Sequence, residues 1–564
     1  MEVTLKEFRE LCISVSIEPS YITKTKLISE FIHCGRDYSD VYIIIKLLLP
    51  GTGKLVYNIN DKQLVKLFSK IFCHDADEMY NHVVNIGDVA YVIGSFLKKS
   101  KSAVDYATES TLMLHEVDCF LTRLSTVTKE SDQIKEIKKI IPRCTPNDLR
   151  HIIRLIKHDL RMNVGPKHVL SGLHKDAYEI FKLCNNLEQV VKRSLEDNIK
   201  PIIELMVPLQ PMLASACKTF SEAVKKCPNG IIADFKYDGE RIQIHKHNKQ
   251  FKYFSRSLKP ITPHKVADFE ELLDKAFPSA KNMILDGEII LIDTKTNQLL
   301  PFGTLGINKK NMYDNACVCI FIFDCLYLND TVLIDKPFIE RRNIIHVNIK
   351  EIPNRILLSE VKNIKNDEEL SKLLHIVLSK NIEGFVLKDA KGVYEPGMRR
   401  WLKIKKDYLD GCSMADKADL VVLGAYYGKG NKSGILSSFL MGCYDTKSKK
   451  WCTVTKCSGG HTDIELQEIN DNLSVIPFDR NAIPDWLSIN KIHYPDVIIS
   501  DISLSPVWEI IGSEFTRSPT HTASNISIRF PRCVRMREDK TYETANNLDD
   551  IKRLYKASMS PPEE

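Results

Sequence analysis

The stretch Ile231–His245 leaves the chain little local freedom. Ile231 to Tyr237 alternates as a strand, Asp238-Gly239 is a strong hairpin-turn dipeptide, and Arg241 to His245 alternates again with Ile242 and Ile244 inward. The pattern predicts two strands joined by a tight hairpin, with Lys236 at the end of the first and Arg241 opening the second. Gly239 would let a ligand approach the backbone closely. An amine attacks phosphorus only when unprotonated, so a lysine nucleophile at neutral pH needs burial or neighbouring cations to lower its pKa. Alone the motif is only suggestive, because a solvated lysine beside a hairpin turn fits it too.

Four further segments supply the company such a lysine needs. Met283–Ile292 reads as a buried strand interrupted by Asp286 and Glu288, whose spacing of two puts both carboxylates on one face. Ile382–Lys388 is a second apolar strand, with Glu383 near its start and Lys388 at its end. In Arg399–Lys406, the residues Arg399, Trp401, Lys403 and Lys405 share one face, with Leu402 and Ile404 on the other. Cations stacked along a half-buried strand repel each other unless an anion lies over them. Arg529–Lys540 repeats that design, with Arg535 and Arg537 on one face and Val534 and Met536 opposite. Each segment alone could be an ordinary strand rim or a solvated basic face. Together they offer a lysine, carboxylate sites suited to Mg²⁺ and several phosphate-binding cations, the equipment of nucleotidyl transfer through a lysyl intermediate.

With these motifs in place the chain resembles the ATP-dependent DNA ligases of the lysyl-nucleotidyltransferase superfamily. It is most similar to the poxvirus enzymes and to the catalytic core of vertebrate ligase III. The likeness extends through Pro211–Ala214, Tyr253–Lys259, Pro301–Gly306, Phe323–Tyr327, Met414–Leu420 and Phe439–Tyr444, and so covers essentially the whole chain. It implies a multidomain α+β protein of three parts. These are an all-α DNA-binding domain over 1–205, an α+β (ATP-grasp-like) nucleotidyltransferase domain over 206–410, and a β-barrel OB-fold domain over 411–564. A length of 564 residues suits two to four domains. The residues agree in outline, with a helix-like first third, a strand-rich middle, a joint near Lys405–Cys412 and then short strands with Gly-rich turns such as Gly428–Asn431.

The first third carries its own sign of nucleic acid. The spacing predicts a helix from Asn147 to Arg161 with Leu149, Ile153, Ile156 and Leu160 as an apolar stripe. Arg150, Arg154, Lys157 and Arg161 form a basic stripe about 100° around it. A solvated face is the bland alternative. Met162–His168 would then bring backbone amides and Lys167 to a phosphate backbone. Against this, 79 Lys plus Arg and 73 Asp plus Glu leave a net charge of only +6, compatible with locally basic faces but no proof of a polyanion partner. Sixteen cysteines without a C-x-x-C pair read as reduced thiols rather than a zinc site, with Cys317, Cys319 and Cys325 expected to be buried. The N-terminus does not read as a secretory signal, and no apolar run is long enough to cross a bilayer.

The resemblance implies roles residue by residue. Lys236 would take AMP from ATP as a phosphoramidate and pass it to the 5′-phosphate of a nick in duplex DNA, where the adjacent 3′-hydroxyl displaces it. Arg241 and Arg256 match positions that hold the nucleotide and the 5′-phosphate. Glu288 and Glu383 match the carboxylates that position ribose and Mg²⁺, with Mn²⁺ an alternative. Phe323 matches the ring that stacks on adenine, and Lys403 and Lys405 the lysines on the α-phosphate. Arg535, Asp539 and Lys540 would orient pyrophosphate in the first step only, from a domain that then swings away. Phe302 and Phe530 match a pair that wedges the minor groove beside the nick. The enzyme would act as a monomer encircling its DNA. One position departs from the family. Two residues before the nucleophile stands Asp234 where glutamate is usual, so its adenine contact would be longer or water-mediated. A core that starts near residue 1 and stops soon after the last motif resembles the poxviral arrangement and implies a cytoplasmic enzyme. Capping guanylyltransferases and RNA ligases share the lysine chemistry but lack such a helical third, NAD-dependent ligases carry a cysteine-rich finger, and a nick-binding relic would have lost Lys236 or a metal carboxylate.

Overall fold

The computed structural model describes residues 3–52, 55–100, 104–196, 203–217, 219–266, 268–300, 315–380, 382–405, 417–428, 432, 434–512 and 514–559. Helices from Leu5–Ile17 to Leu187–Leu195 make up the first part, and their ends are written in the sequence. Thr4 with Glu7, Asn60 with Gln63 and Thr145 with Asp148 form reciprocal capping boxes, the last followed by a proline at the first helical position. Their apolar faces close on one core that includes Phe8, Ile45, Phe68, Phe96, Phe120, Ile153 and Val190. The helix expected over Asn147–Arg161 is Pro146–Ile156. It stops early because His158, Arg161 and Asn163 adopt positive φ, which no helix tolerates.

The middle part is built of β1 (Leu213–Ala216), β2 (Ile231–Lys236), β3 (Glu240–His247), β4 (Gln250–Ser255), β5 (Asn282–Asp293) and β6 (Ala316–Leu328). Then follow β7 (Thr331–Val332), β8 (Ile356–Leu358), β9 (Val361–Ile364), β10 (Gly384–Asp389) and β11 (Arg399–Lys405). Five strands form one sheet in the order β1-β11-β10-β2-β9, and β4-β3-β5-β6-β7 form a second, with β8 alongside β6. The expected hairpin is therefore absent: β2 and β3 belong to different sheets. Asp238-Gly239 is the crossing between them, and Gly239 is required for a different reason. A Cβ there would meet the Ile289 carbonyl oxygen at 2.3 Å and Ile290 Cγ1 at 2.6 Å, so the crossing passes hard against β5. The same crossing explains why β2 is buried on both faces up to Phe235, instead of alternating.

The last part comprises β12 (Lys417–Tyr427), β13 (Leu436–Asp445), β14 (Lys450–Cys457), β15 (Val475–Pro477), β16 (Leu487–Ser488) and β17 (Val497–Ile499). It ends with β18 (Val507–Ile511), β19 (Glu514–Arg517), β20 (Ile526–Arg529), β21 (Arg532–Met536) and the helix Leu548–Met559. The sheet runs β15-β17-β12-β13-β14-β16, β18 bridges β12 to β21, and β19-β20 is a separate hairpin. Sheet, hairpin and helix enclose a common core of Leu420, Phe439, Val454, Trp508, Phe515, Ile526 and Ile551, as an OB-fold barrel does. One expectation fails here. Val534 and Met536 are not an inward face; both are substantially exposed, and Cys533 is the buried residue of β21. A bulge between Glu509 and Ile510 of β18 shifts the register on which simple alternation depends.

Cys319 and Cys325 are buried and Cys317 partly so, and none of the described cysteines forms a disulfide. Among the described residues no helix is long and apolar enough to cross a membrane.

Candidate active site

The two middle sheets pack against each other through a shared apolar core, and register decides what gathers around Lys236. On β2, Asp234 and Lys236 share a face, and the neighbouring strands carry the alignment onward: Val386 and Gly384 lie opposite them on β10, and Lys403 and Lys405 opposite those on β11. Lys403 and Lys405 thus project with Lys236, while Leu402 and Ile404 point into the core as expected. From the second sheet, Arg241 on β3 pairs with Glu288 on β5, which pairs in turn with Phe321 on β6, two residues before Phe323.

The anion that a row of lysines demands is Glu383. Its two carboxylate oxygens accept from Lys236 Nζ and Lys405 Nζ, and its backbone N–H donates to the Lys236 carbonyl at 3.1 Å. Burial holds the Lys236 amine below the ordinary lysine pKa; Glu288 and Asp238 oppose that shift, and Arg529 and Arg256 reinforce it. This is the direction a lysine nucleophile needs. Burial likewise pushes the Glu288 carboxyl up to about 7, against the pull of Lys236 and Arg241. Arg256 sits just past β4, exposed, and within electrostatic reach of Lys236.

Asp286 has another task than the metal site its spacing suggested. It is fully buried and takes Arg241 Nε at 3.0 Å, Arg241 Nη2 at 2.5 Å and the Tyr394 hydroxyl at 2.8 Å. Arg241 Nη1 also donates to the Met212 carbonyl at 2.6 Å. Asp286 is the anchor that aims Arg241, with both its oxygens engaged. Phe323 is half-buried, edge-on to Trp401 at 6.1 Å between centroids. Asp234 is buried against Lys388, whose Nζ donates to Oδ2 at 2.7 Å, while Asp234 Oδ1 has no hydrogen-bond partner. An orphaned buried acceptor is the kind of atom a nucleobase amino group satisfies.

The last domain comes close to Lys236 through Arg529, whose Nη1 lies 3.5 Å from Asp238 Oδ2. Beside it Phe530 is 68% exposed with φ of 52°, an uncommon conformation for a bulky residue. Arg535, Asp539 and Lys540 have partners within their own domain: Arg535 bonds Glu509 at 2.8 Å, Lys540 bonds Asp419 at 2.6 Å, and Asp539 accepts from Arg537 at 2.8 and 2.7 Å. That pairing with Arg537 holds the exposed Asp539 carboxyl down to about 2. Phe302 lies outside the described residues.

The basic stripe of the helical domain is largely neutralised. Asp88 faces Arg154 at 3.0 Å, Arg161 at 3.3 Å and Arg150 at 3.7 Å, and Asp61 faces Lys157 at 2.5 Å. Arg154 and Lys157 line a cavity of about 810 Å³ whose far wall is Tyr426, Lys456 and Asp496 of the last domain. Lys167 is exposed at the start of the helix Pro166–Leu173.

Sequence reasoning missed Asp88, Asp61, Tyr394, and the parts played by Lys388 and Arg529. A lysine closing an apolar strand was the available signal for Lys388. The others are meetings between distant segments that no local pattern announces.

Three family models match in order along the chain: DNA ligase N terminus over residues 4–174, ATP dependent DNA ligase domain over 211–405, and ATP dependent DNA ligase C terminal region over 432–540. The DNA ligase of fowlpox virus (strain NVSL) is 91% identical over 564 residues, all of both chains. That of vaccinia virus (strain Copenhagen) is 48% identical over 557 residues, 98% of this chain and 100% of the other. DNA ligase 3 of Dictyostelium discoideum is 40% identical, covering 97% of this chain and 50% of that protein. A solved structure described as Pmar-Lig_Pre aligns over 94% of this chain and 99% of its own with a TM-score of 0.59, at 16% identity, which speaks to the fold alone. The chain belongs to the ATP-dependent DNA ligases.

Proposed function

We propose the following division of labour for the family's reaction, the sealing of a 3′-hydroxyl/5′-phosphate nick through lysyl-AMP and a DNA-adenylate. Lys236 attacks the α-phosphorus of ATP and pyrophosphate leaves; Glu383, hydrogen-bonded to Lys236, is within reach of the proton the amine must lose. Lys403 and Lys405 hold the α-phosphate, Arg241 the ribose side of the nucleotide, Phe323 and Asp234 the base. Arg256 receives the 5′-phosphate when DNA binds. The observation that carries this reading is the half-buried lysine at the end of β2 that shares one carboxylate with a second lysine.

Among the described residues no three His, Cys, Asp or Glu side chains cluster to cage a metal. Mg²⁺ shared between one or two carboxylates and substrate phosphates needs no such cage, and Glu288 and Glu383, both beside Lys236, fit that donor set. Bound there, Mg²⁺ (or Mn²⁺) would offset the charge that builds on the phosphates.

Here the last domain turns its Arg529-Phe530 corner toward Asp238 beside the nucleophile, while Arg535, Asp539 and Lys540 stay with Glu509, Asp419 and Arg537. We assign this orientation to the DNA-dependent steps, with Phe530 and Phe302 wedging the minor groove. The pyrophosphate-orienting role of the other three calls for the domain to turn and for those pairings to open. Lys167 contacts the DNA backbone, as does Arg161 on giving up Asp88. For Arg150, Arg154 and Lys157 such contact means exchanging Asp88 and Asp61 for phosphate. The proposal extends to a monomer encircling nicked duplex DNA, acting in replication, repair and recombination at a cytoplasmic site. The 91% identity to a poxviral DNA ligase supports that placement.

Incubation with Mg²⁺ and α-labelled ATP or GTP, followed by a chase with nicked duplex, tests the reading. Acid-labile label from ATP that moves into sealed strand supports it. Label from GTP points to capping chemistry and refutes it, as does labelling that nicked DNA cannot discharge.

A further inference from the structure

Lys388 has no task in the reaction as described, yet it is among the most expensively placed residues in the molecule. Its side chain is 1% exposed and that of Asp234 is 2% exposed. The ammonium lies 4.4 Å from the ring centroid of Phe338, 4.5 Å from Trp401 and 4.8 Å from Phe323. Besides Asp234 Oδ2 at 2.7 Å it reaches the Phe323 carbonyl at 3.4 Å. Three aromatic faces and a carboxylate are what a desolvated ammonium requires. The converse matters more for the site. The pair commits one oxygen of Asp234 and so fixes the orientation of the other, which is buried without a partner. Asp234 stands two residues before Lys236 on the same strand face, about 7 Å along an extended chain, a span that a nucleotide held by its α-phosphate at Lys236 covers. Phe323, the ring assigned to the base, forms part of the box around Lys388.

We propose that Lys388 is a positioning residue for base selection: it clamps the Asp234 side chain in one orientation, so that Oδ1 accepts a hydrogen bond from the 6-amino group of the incoming purine. The inference rests on the reading of Lys236 as the adenylated lysine. A 6-amino purine brings a donor to Oδ1, whereas a 6-oxo purine brings lone pairs against a carboxylate and is refused. Without the cation nothing fixes the carboxylate in this orientation, and it can turn away from the base. The filter against 6-oxo purines fails with it.

The test measures formation of the covalent enzyme–nucleotide adduct by the full chain with ATP, GTP and purine riboside triphosphate, which lacks any 6-substituent. The wild type should prefer ATP over purine riboside triphosphate in kcat/KM by about tenfold or more, the worth of a hydrogen bond to a charged acceptor. Lys388→Met, which keeps the bulk inside the aromatic box, should shrink that preference to about threefold or less and admit GTP. The change should fall on KM, with kcat for ATP little altered, and Lys388→Arg should retain the preference. A merely structural lysine would lower all three substrates together, and an unchanged ratio in Lys388→Met overturns the proposal. Should that variant fail to fold, the neutral pair Asp234→Asn/Lys388→Met takes its place. Its amide can turn either end to the base, so preference for ATP over GTP should vanish, and its persistence would again overturn the proposal. Absence of any adduct in the wild type would instead strike the ligase reading itself.

Discussion

The pair Arg341–Asp324 allows a stability prediction with little room for adjustment. Both side chains are wholly buried, and the guanidinium grips the carboxylate through Nε at 2.7 Å and Nη2 at 3.0 Å. Nη1 donates to the carbonyls of Lys336 at 2.6 Å and Gly392 at 3.2 Å. Asp324 adjoins Phe323 on β6, so the pair fastens the strand that carries the ring proposed to stack on adenine. Arg341→Met leaves a carboxylate buried without its cation, which costs about 3–5 kcal/mol. Arg341→Met/Asp324→Leu removes both charges. It forfeits the two carbonyl contacts, at about 1 kcal/mol each, but not the penalty of a stranded charge. The double variant should therefore be more stable than the single one. Hydrogen exchange of β5 and β6 amides reads the local effect directly, without assuming that three domains unfold together. The single substitution should accelerate exchange there by roughly 10²- to 10⁴-fold, and the double by clearly less. Exchange faster in the double variant than in the single would mean that the two charges act independently, and the reasoning would fail.

Three other perturbations have definite outcomes. Gly239→Ala drives a Cβ into the β5 backbone and shifts the turn that carries Lys236; the adduct-formation rate should fall by about 10²-fold while the helical domain's melting is unchanged. Burial raises the Asp88 carboxyl pKa, but the hydrogen bond and charge of Arg154, with the charge of Arg161, outweigh this and leave it below the ordinary value. A folded-state pKa below the unfolded one stabilises at pH above about 4 and is lost as pH falls through the depressed value. Asp88→Asn should accordingly flatten the acid limb of the helical domain's stability profile, and an unchanged limb would count against the pairing. Asp238→Asn removes the charge from a partly exposed ion pair 3.5 Å long, worth at most about 1 kcal/mol. Small-angle scattering should then show the last domain loosened in salt-free buffer, with almost no change in melting temperature; a large melting shift would refute a weak contact.

How much of this was legible in the sequence follows from what periodicity can encode. Period two assigned Arg399, Trp401, Lys403 and Lys405 to one face, and the structure keeps them there, with Leu402 and Ile404 buried behind. It says which face a residue takes but not which strand lies beside it. Asp238-Gly239 therefore read as a hairpin, although β2 and β3 part into separate sheets. The basic stripe around Pro146–Ile156 was equally visible, while the carboxylates that neutralise it, Asp61 and Asp88, come from distant helices. Asp286 and Glu288 are indistinguishable by spacing, and only the arrival of Arg241 and Tyr394 commits the first to structure. The chemistry of the site was readable because its residue types are constrained one by one; their partners were not, because pairing is a property of the fold.

The most direct test of the account is to locate the nucleotide. After incubation with ATP and Mg²⁺, the protein would be digested and its peptides mapped by mass spectrometry under conditions that preserve phosphoramidates. A single added AMP on Lys236, removed by nicked duplex and absent from Lys236→Ala, is the predicted result. AMP carried by any other residue, or retained on Lys236 when nicked DNA is supplied, would contradict it.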